Sequence, residues 1–318
     1  MRAATVILAV EAGPLPETRL EVDGYAPGIA QTEGFGSAKA NPCSDLKHKS
    51  MDGGIAVDAT GRFEPVKDQL LKILEPAGGQ WAVVIEDLDG KGTLRLNPDA
   101  PFTAASVIKI PIMMTAFKEA REGKVRLDDT IVLRKEDKVG GSGVLFEFHN
   151  GIPLTLLDAI HMMIVVSDNT ATNLVIDAVG LETVNSYMTE AGCKGSRLEA
   201  HLMRPKPNGP WNTITAADIA LLVKGLADGT IADSGDCETM VGIMKRQQHN
   251  EKLPKLLPRG VTCAHKTGEV RGVTHDVGVI TGGGARFAIT CLSQKLEDAG
   301  IGVRVIGEIA KWAYDLLI

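Results

Sequence analysis

Phe102-Thr103-Ala104-Ala105-Ser106-Val107-Ile108-Lys109-Ile110-Pro111 is the stretch from which the fold of this chain can be read. Ser106 and Lys109 are three residues apart, and positions i and i+3 share one face of a helix. Pro111 follows closely, and proline in a helix is tolerated only near its start. Ser106 is therefore expected at or just before the first turn of a helix over 106–122, ended by Gly123. Backbone N–H groups are free at such a place.

Outward from this stretch the chain changes character twice. On its N-terminal side, residues 63–74 are helical in pattern and Trp81-Ala82-Val83-Val84-Ile85-Glu86 reads as a strand. Asp89-Gly90 marks a turn, and Thr93-Leu94-Arg95-Leu96 returns. On its C-terminal side, residues 154–166 are almost wholly apolar and predict a helix buried on all sides. Helices over 170–179 and 181–191 are stopped by Gly180 and Gly192. Another over 215–227 has Thr215 at its N-cap and Asp218 at the capping-box position. Strands follow at 261–265, 276–280 and 286–291, with Gly282-Gly283-Gly284 as the second turn, and a last helix covers 303–317.

This order places the chain in the α/β (α+β) class. The split strands are expected to rejoin in one antiparallel sheet flanked by the N- and C-terminal helices, with an all-helical lobe between. The expected catalytic domain is 61–318, with 61–101 and 256–318 in the α/β lobe and 102–255 in the helical lobe. A cleft between the lobes is the natural site. Residues 1–60 are rich in Gly, Pro and polar side chains and are expected to be disordered or loosely attached.

Two more short motifs bear on Ser106. Ser167-Asp168-Asn169 follows the apolar helix directly and forms a tight interhelix turn. There Ser167 can relay a proton to a leaving nitrogen and Asn169 can bond a substrate carbonyl, with Asp168 holding the turn. The plainer reading is an N-cap turn. Lys266-Thr267-Gly268 ends a predicted strand. Gly268 would let substrate backbone approach, and Thr267 and Lys266 would bind a carboxylate. The N–H groups of Ser106 and Glu269 can make an oxyanion hole, each donor worth about 3 kcal/mol. The plainer reading is a strand-to-turn junction. A serine hydroxyl needs a base, and Lys109 serves if burial and a second cation, Lys266, lower its pKa. A second Ser-x-x-Lys, Ser44 to Lys47, falls in the N-terminal segment.

Composition removes the rivals. At 318 residues and 44% hydrophobic, the chain fills a full core. A net charge of -6 with 4% aromatics offers no surface for nucleic acid. The five cysteines form no CxxC and no Cys/His cluster, so no zinc, disulfide framework or other cofactor is expected. Cys263 and Cys291, on two predicted strands, are expected as buried thiols rather than a bridge. No Gly-x-Ser-x-Gly, His-Glu-x-x-His or Gly-x-Gly-x-x-Gly motif supports a Ser-His-Asp, metal or dinucleotide enzyme. Gly140-Gly141-Ser142-Gly143 reads as a flexible loop near the cleft. Met113, Met114, Met162 and Met163 read as core. No apolar run reaches about 18 residues, so stable membrane insertion is not expected. Residues 4–10 are either a minimal signal-peptide core or a tail. A monomer acting on a small molecule is the expected form.

Residues 63–318 resemble the class A serine β-lactamase and penicillin-recognising enzyme superfamily. The likeness rests on Phe102 to Pro111 as quoted, on Ser167-Asp168-Asn169-Thr170-Ala171-Thr172-Asn173, and on His265-Lys266-Thr267-Gly268. It implies a β-lactamase-like fold, an acyl-enzyme at Ser106, proton relay through Ser167 and Lys109, and carboxylate recognition by Thr267 and Lys266. It implies a β-lactam, peptide or ester as substrate, and a periplasmic or secreted location. A DD-peptidase, an esterase, or a penicillin sensor that acylates without turnover would use the same scaffold.

Two departures stand out. Class A enzymes carry Glu-x-x-Leu-Asn on a later loop, whose glutamate activates the deacylating water. Here Glu199-Ala200-His201-Leu202-Met203 keeps Glu and Leu, but Met203 replaces Asn. Glu199 is then either that base or a loop salt bridge with Arg197 or Arg204. An alignment on Arg197-Leu198 leaves the glutamate absent. Second, many class A enzymes have a carboxylate-binding arginine on the strand after Lys-Thr-Gly. His275 falls there, with Arg271 nearby; either substitutes, or His275 is a strand-end residue facing water.

Overall fold

Apolar side chains in the run 81–85 divide between two cores, and that division organises the molecule. The computed structural model describes residues 57–204 and 209–318. In chain order the first elements are β1 (Val57–Ala59), α1 (Lys67–Leu74), β2 (Gln80–Asp87), β3 (Thr93–Leu96), β4 (Phe102–Thr103) and α2 (Lys109–Arg121). The middle elements are β5 (Thr130–Val132), β6 (Pro153–Thr155), α3 (Leu156–Val165), α4 (Asn169–Val179), α5 (Leu181–Glu190), β7 (Thr213–Ile214), α6 (Ala216–Asp228) and α7 (Ser234–Met244). Last come β8 (Thr262–Val270), β9 (Val273–Gly282), β10 (Ala285–Gln294) and α8 (Ala299–Leu317). Six strands form one sheet in the order β1-β3-β2-β10-β9-β8, antiparallel throughout. The two halves of the chain meet between β2 and β10, where Ile85 lies opposite Ile289.

Trp81, Val83 and Ile85 face a core closed by α1 and α8, with Leu70, Phe287, Val305 and Ile309. Ala82 and Val84 face the other core, filled by Ile110, Met113, Met163, Val175, Ile219 and Leu222 of α2, α3, α4 and α6. A strand buried on both faces loses polar alternation, which is why this stretch reads as one apolar run.

Several edges differ from expectation. β1 lies inside the segment expected to be loose: Val57 pairs with Leu96 and Ala59 with Leu94. Three residues are too few to display a period. The signal-like residues 4–10, the Ser44 to Lys47 match and Cys43 fall outside the described residues. The helix expected over 154–166 begins at Leu156, because Thr155 Oγ1 accepts from the Asp158 N–H at 3.0 Å and Asp158 accepts from the Thr155 N–H at 2.9 Å. It is not buried on all sides, since Asp158 is exposed. Thr215 caps α6 as expected, but Asp218 does not complete a capping box. Its carboxylate accepts instead from the N–H groups of Lys194, Gly195 and Ser196 at 2.8, 2.9 and 2.7 Å. β8 continues to Val270, so Lys266, Thr267 and Gly268 sit within the strand, opposite Val277, Asp276 and His275. Cys263 and Cys291 are both free thiols, with β9 between their strands. Two strand spacings are about 10 Å, beyond the reach of a disulfide at about 7 Å. No described helix is long and apolar enough to cross a membrane.

Candidate active site

Ser106 lies in a single 3₁₀ turn, Ala105–Ile108, that leads into α2. In such a turn residues i and i+3 stand in line, so Ser106 and Lys109 project together. Ala105, just before the serine, has φ 43°, a left-handed conformation rare for a residue with a Cβ. Ser167 has φ 57° and Met203 φ 60°. Backbone strain of this kind gathers where surrounding structure over-determines a functional geometry.

Lys109 is wholly buried, and its Nζ donates to Ser167 Oγ at 3.1 Å, to the Ser167 carbonyl at 2.6 Å and to Asn169 Oδ1 at 2.8 Å. Lys266, also wholly buried, donates from Nζ to the same Ser167 Oγ at 3.0 Å and to the Thr267 carbonyl at 2.7 Å. One hydroxyl therefore sits between two lysines from opposite lobes. Burial, and then the charge of Lys266, hold the Lys109 amine well below its ordinary range. Burial lowers Lys266 to about 7, against the attraction of Asp276. Two ammoniums cannot both stay charged cheaply in so dry a place.

The Ser-Asp-Asn turn is braced from outside. Asp168 caps α4 by accepting from the Ala171 N–H at 2.8 Å, and its other oxygen accepts from the N–H groups of Val144 and Leu145 at 2.6 and 2.8 Å. The Asn169 N–H donates to the Ser142 carbonyl at 3.0 Å, and Asn169 Nδ2 to the Gly140 carbonyl at 3.1 Å. The loop at 140–143 is thus pinned to the turn, not flexible as its glycines suggest. A Cβ at Gly143 would come within 2.3 Å of the Asp168 Cα, so the approach is the reason for that glycine. Gly268 lies against the serine turn: a Cβ there would stand 3.1 Å from Val107 Cγ2 and 3.2 Å from both Ala105 Cβ and the Ser106 nitrogen. Thr267 and Glu269 follow the strand alternation onto the other face of β8.

Lys109, Ser167, Asn169 and Lys266 are brought together directly, with Gly268 against Ser106. Glu199 is not brought into that network. Arg197 Nε lies 3.0 Å from its carboxylate, the loop salt bridge that the sequence allowed. His275 is neither a free cation nor a residue facing water. It is wholly buried, its Nε2 donates to the Thr103 carbonyl at 2.8 Å, and its Nδ1 accepts from the Ser293 N–H at 3.1 Å. Burial lowers its pKa to about 4, so the ring is neutral at pH 7. Arg271 is exposed on the turn between β8 and β9.

Sequence reasoning missed the asparagines that hold residues 198–202. Asn185 accepts from the Leu198 N–H at 2.9 Å and donates to its carbonyl at 2.9 Å. Asn212 accepts from the N–H groups of Glu199 and Ala200 at 2.7 and 3.0 Å. Asn173, one helical turn beyond Asn169, accepts from the Leu202 N–H at 2.8 Å and donates to its carbonyl at 3.0 Å. The signal was present: asparagine is unfavourable inside a helix, so Asn173 and Asn185 needed another task. Leu202, rather than Glu199, is the loop residue gripped beside the Lys109 partner.

The profile of the Beta-lactamase enzyme family matches residues 65–317. Beta-lactamase VEB-1 of Pseudomonas aeruginosa is 25% identical over 263 residues, covering 77% of this chain and 88% of its own. Among solved structures, the beta-lactamase from Sphaerobacter thermophilus DSM 20745 is 36% identical with TM-score 0.75, covering 80% of this chain and 97% of its own. PBP-A carrying a leucine-to-glutamate substitution, solved as its acyl-enzyme with penicillin G, is 27% identical with TM-score 0.70, covering 79% and 96%.

Proposed function

The chain belongs to the Beta-lactamase enzyme family, within the class A serine β-lactamase superfamily, and from that premise we propose that this β-lactamase-type hydrolase opens β-lactam rings through an ester at Ser106. The observation that carries the proposal is the Ser167 hydroxyl held at 3.1 and 3.0 Å between Lys109 and Lys266.

Neutral Lys109 takes the Ser106 proton as Oγ attacks the lactam carbonyl carbon. The developing oxyanion accepts from the N–H groups of Ser106 and Glu269. As the carbon–nitrogen bond breaks, Ser167 gives its proton to the ring nitrogen and regains one from the adjoining lysines. Thr267 and Lys266 hold the substrate carboxylate, and Asn169 its amide side chain.

Release is the slower half. Water attacking the Ser106 ester needs a base, yet the Glu199 carboxylate is engaged by Arg197 and the clamped residue beside Asn169 is Leu202. The reading favoured by that arrangement is penicillin binding with slow turnover.

Excess chromogenic cephalosporin should give a burst of one equivalent, then slow hydrolysis, with the added mass on the peptide containing Ser106. Ser106→Ala should remove both phases. Hydrolysis retained in that variant would place the nucleophile elsewhere, and fast turnover without a burst would remove slow release.

A further inference from the structure

Behind Lys266 lies a buried ion pair that the proposed reaction does not touch. His265 precedes Lys266 on β8 and lies opposite Gly278 of β9, where a Cβ would stand 2.7 Å from the His265 Cβ. The missing side chain lets the imidazole lean along the sheet to Asp276, its diagonal neighbour on the same face. Its Nδ1 lies 2.9 and 3.0 Å from the two Asp276 oxygens, and both side chains are buried. Asp276 Oδ2 also accepts from the Leu253 N–H at 3.1 Å.

The partners of the ring fix its protons. A carboxylate only accepts, so Nδ1 carries one. Nε2 lies 3.1 Å from Asn250 Oδ1. That amide cannot be turned over, because its Nδ2 donates to the Gln247 carbonyl at 3.1 Å. Nε2 therefore carries the second proton, and the ring is an imidazolium. Asp276 is in turn the β9 partner of Thr267, next to Lys266. Burial lowers Lys266, and Asp276 is the largest charge working against that. Other groups facing the pair leave this balance in place. The Cys263 and Cys291 thiols, raised by burial, are neutral. Lys252 is matched by Glu269 and Glu251, and α8 covers this core with Val305 and Ile306.

We propose that His265 is a positioning residue of the acylation: held as an imidazolium, it cancels the Asp276 charge behind Lys266 and so sets how readily Lys266 passes a proton to Ser167. The assignment rests on the acyl-transfer reading above. Once Ser167 has given its proton to the lactam nitrogen, a Lys266 N–H bond breaks as the Ser167 O–H bond re-forms, across the 3.0 Å contact. An unopposed carboxylate behind the strand, in so dry a place, would hold Lys266 as an ammonium. His265 acts through Asp276 and Lys266 without meeting the substrate.

The test is the pH profile of acylation of the full chain by a chromogenic cephalosporin. With Lys266 near 7, the wild-type rate should fall above about that pH. His265→Asn, whose amide still donates to Asp276 but carries no charge, should move the fall upward by about one pH unit or more. The double variant His265→Asn/Asp276→Asn removes both charges and should return the fall to its wild-type place. A merely structural pair would give the opposite order, with two losses worse than one. A fall unmoved in His265→Asn, or not restored in the double variant, overturns the assignment. If the variants fail to fold, nitrogen NMR of the His265 ring in the wild-type protein at pH 7 decides. Both ring nitrogens should be protonated, and a neutral ring overturns the assignment. Wild-type protein acylated at no pH defeats the acyl-transfer reading itself, a distinct result, since the ring spectrum still reports the His265 charge.

Discussion

Lys109 and Lys266 share Ser167, and their protonation states must differ for the site to work. In the proposed acylation Lys109 must be neutral to take a proton, and Lys266 must be charged to hold a carboxylate. With Lys266 lowered to about 7, its charge is present below that pH and lost above it. A lysine in the unfolded chain keeps its proton to about 10.4. Between these values the unfolded state binds more protons, so the contribution of Lys266 to stability rises with pH while the site loses its cation. Acylation by a carboxylate-bearing cephalosporin should therefore fall above about pH 7; a rate still climbing at pH 9 would contradict this. Glu199→Gln should leave release within about two-fold of wild type, because the carboxylate it removes is engaged by Arg197. Leu202→Glu should speed release by at least about ten-fold, a general base being worth ~100-fold or more where well placed. Single-turnover decay of the labelled protein measures both. The meeting of Lys109, Ser167 and Lys266 was legible because each lies in a short motif whose residue types suit one chemistry, although Ser167 is 58 and 99 residues from its two lysines in sequence. Asn173 was not, because its task exists only once the loop after α5 is in place. His275 was misread because strand register decides whether it meets water or Thr103.

Among the elements, β8 and the loop from Lys194 to Leu202 do most to shape the site. Lys-Thr-Gly reads as a strand end because it is polar and contains glycine. It is mid-strand because pairing with β9 continues to Val270 and because Gly268 is demanded by the serine turn lying against it. Gly268→Ala would set a methyl 3.1 to 3.2 Å from Val107, Ala105 and the Ser106 nitrogen, closer than ordinary contact. It should slow acylation by about ten-fold or more while the urea midpoint shifts little. A wild-type rate in this variant would show that the serine turn yields freely. The loop, by contrast, had no readable pattern. Its backbone is held by Asp218, Asn185, Asn212 and Asn173 from three helices and one strand-leading segment, and no local rule connects those positions.

At the scale of the molecule, the split sheet between two cores was legible from element order alone, and its extent was not. β1 covers Leu94 and Leu96 at the sheet edge, with Val57 and Ala59 themselves buried. A chain shortened to start at residue 61 should be less stable than one starting at residue 54 by about 1–3 kcal/mol, the worth of burying one such side chain. Equal urea midpoints would show that the edge strand contributes nothing. The same sheet has a consequence for the newborn chain. During synthesis β2 and β3 emerge early, β2 apolar on both faces along residues 81–85, and the partner of Ile85 is Ile289. The helical lobe is made in between, so the hairpin must wait, uncovered, for a strand at the far end of the message. Long-range pairing of that kind is slow and exposes sticky surface. It also keeps the serine unarmed: until the ribosome has delivered β8, Lys266 is absent and Ser167 has only half its escort.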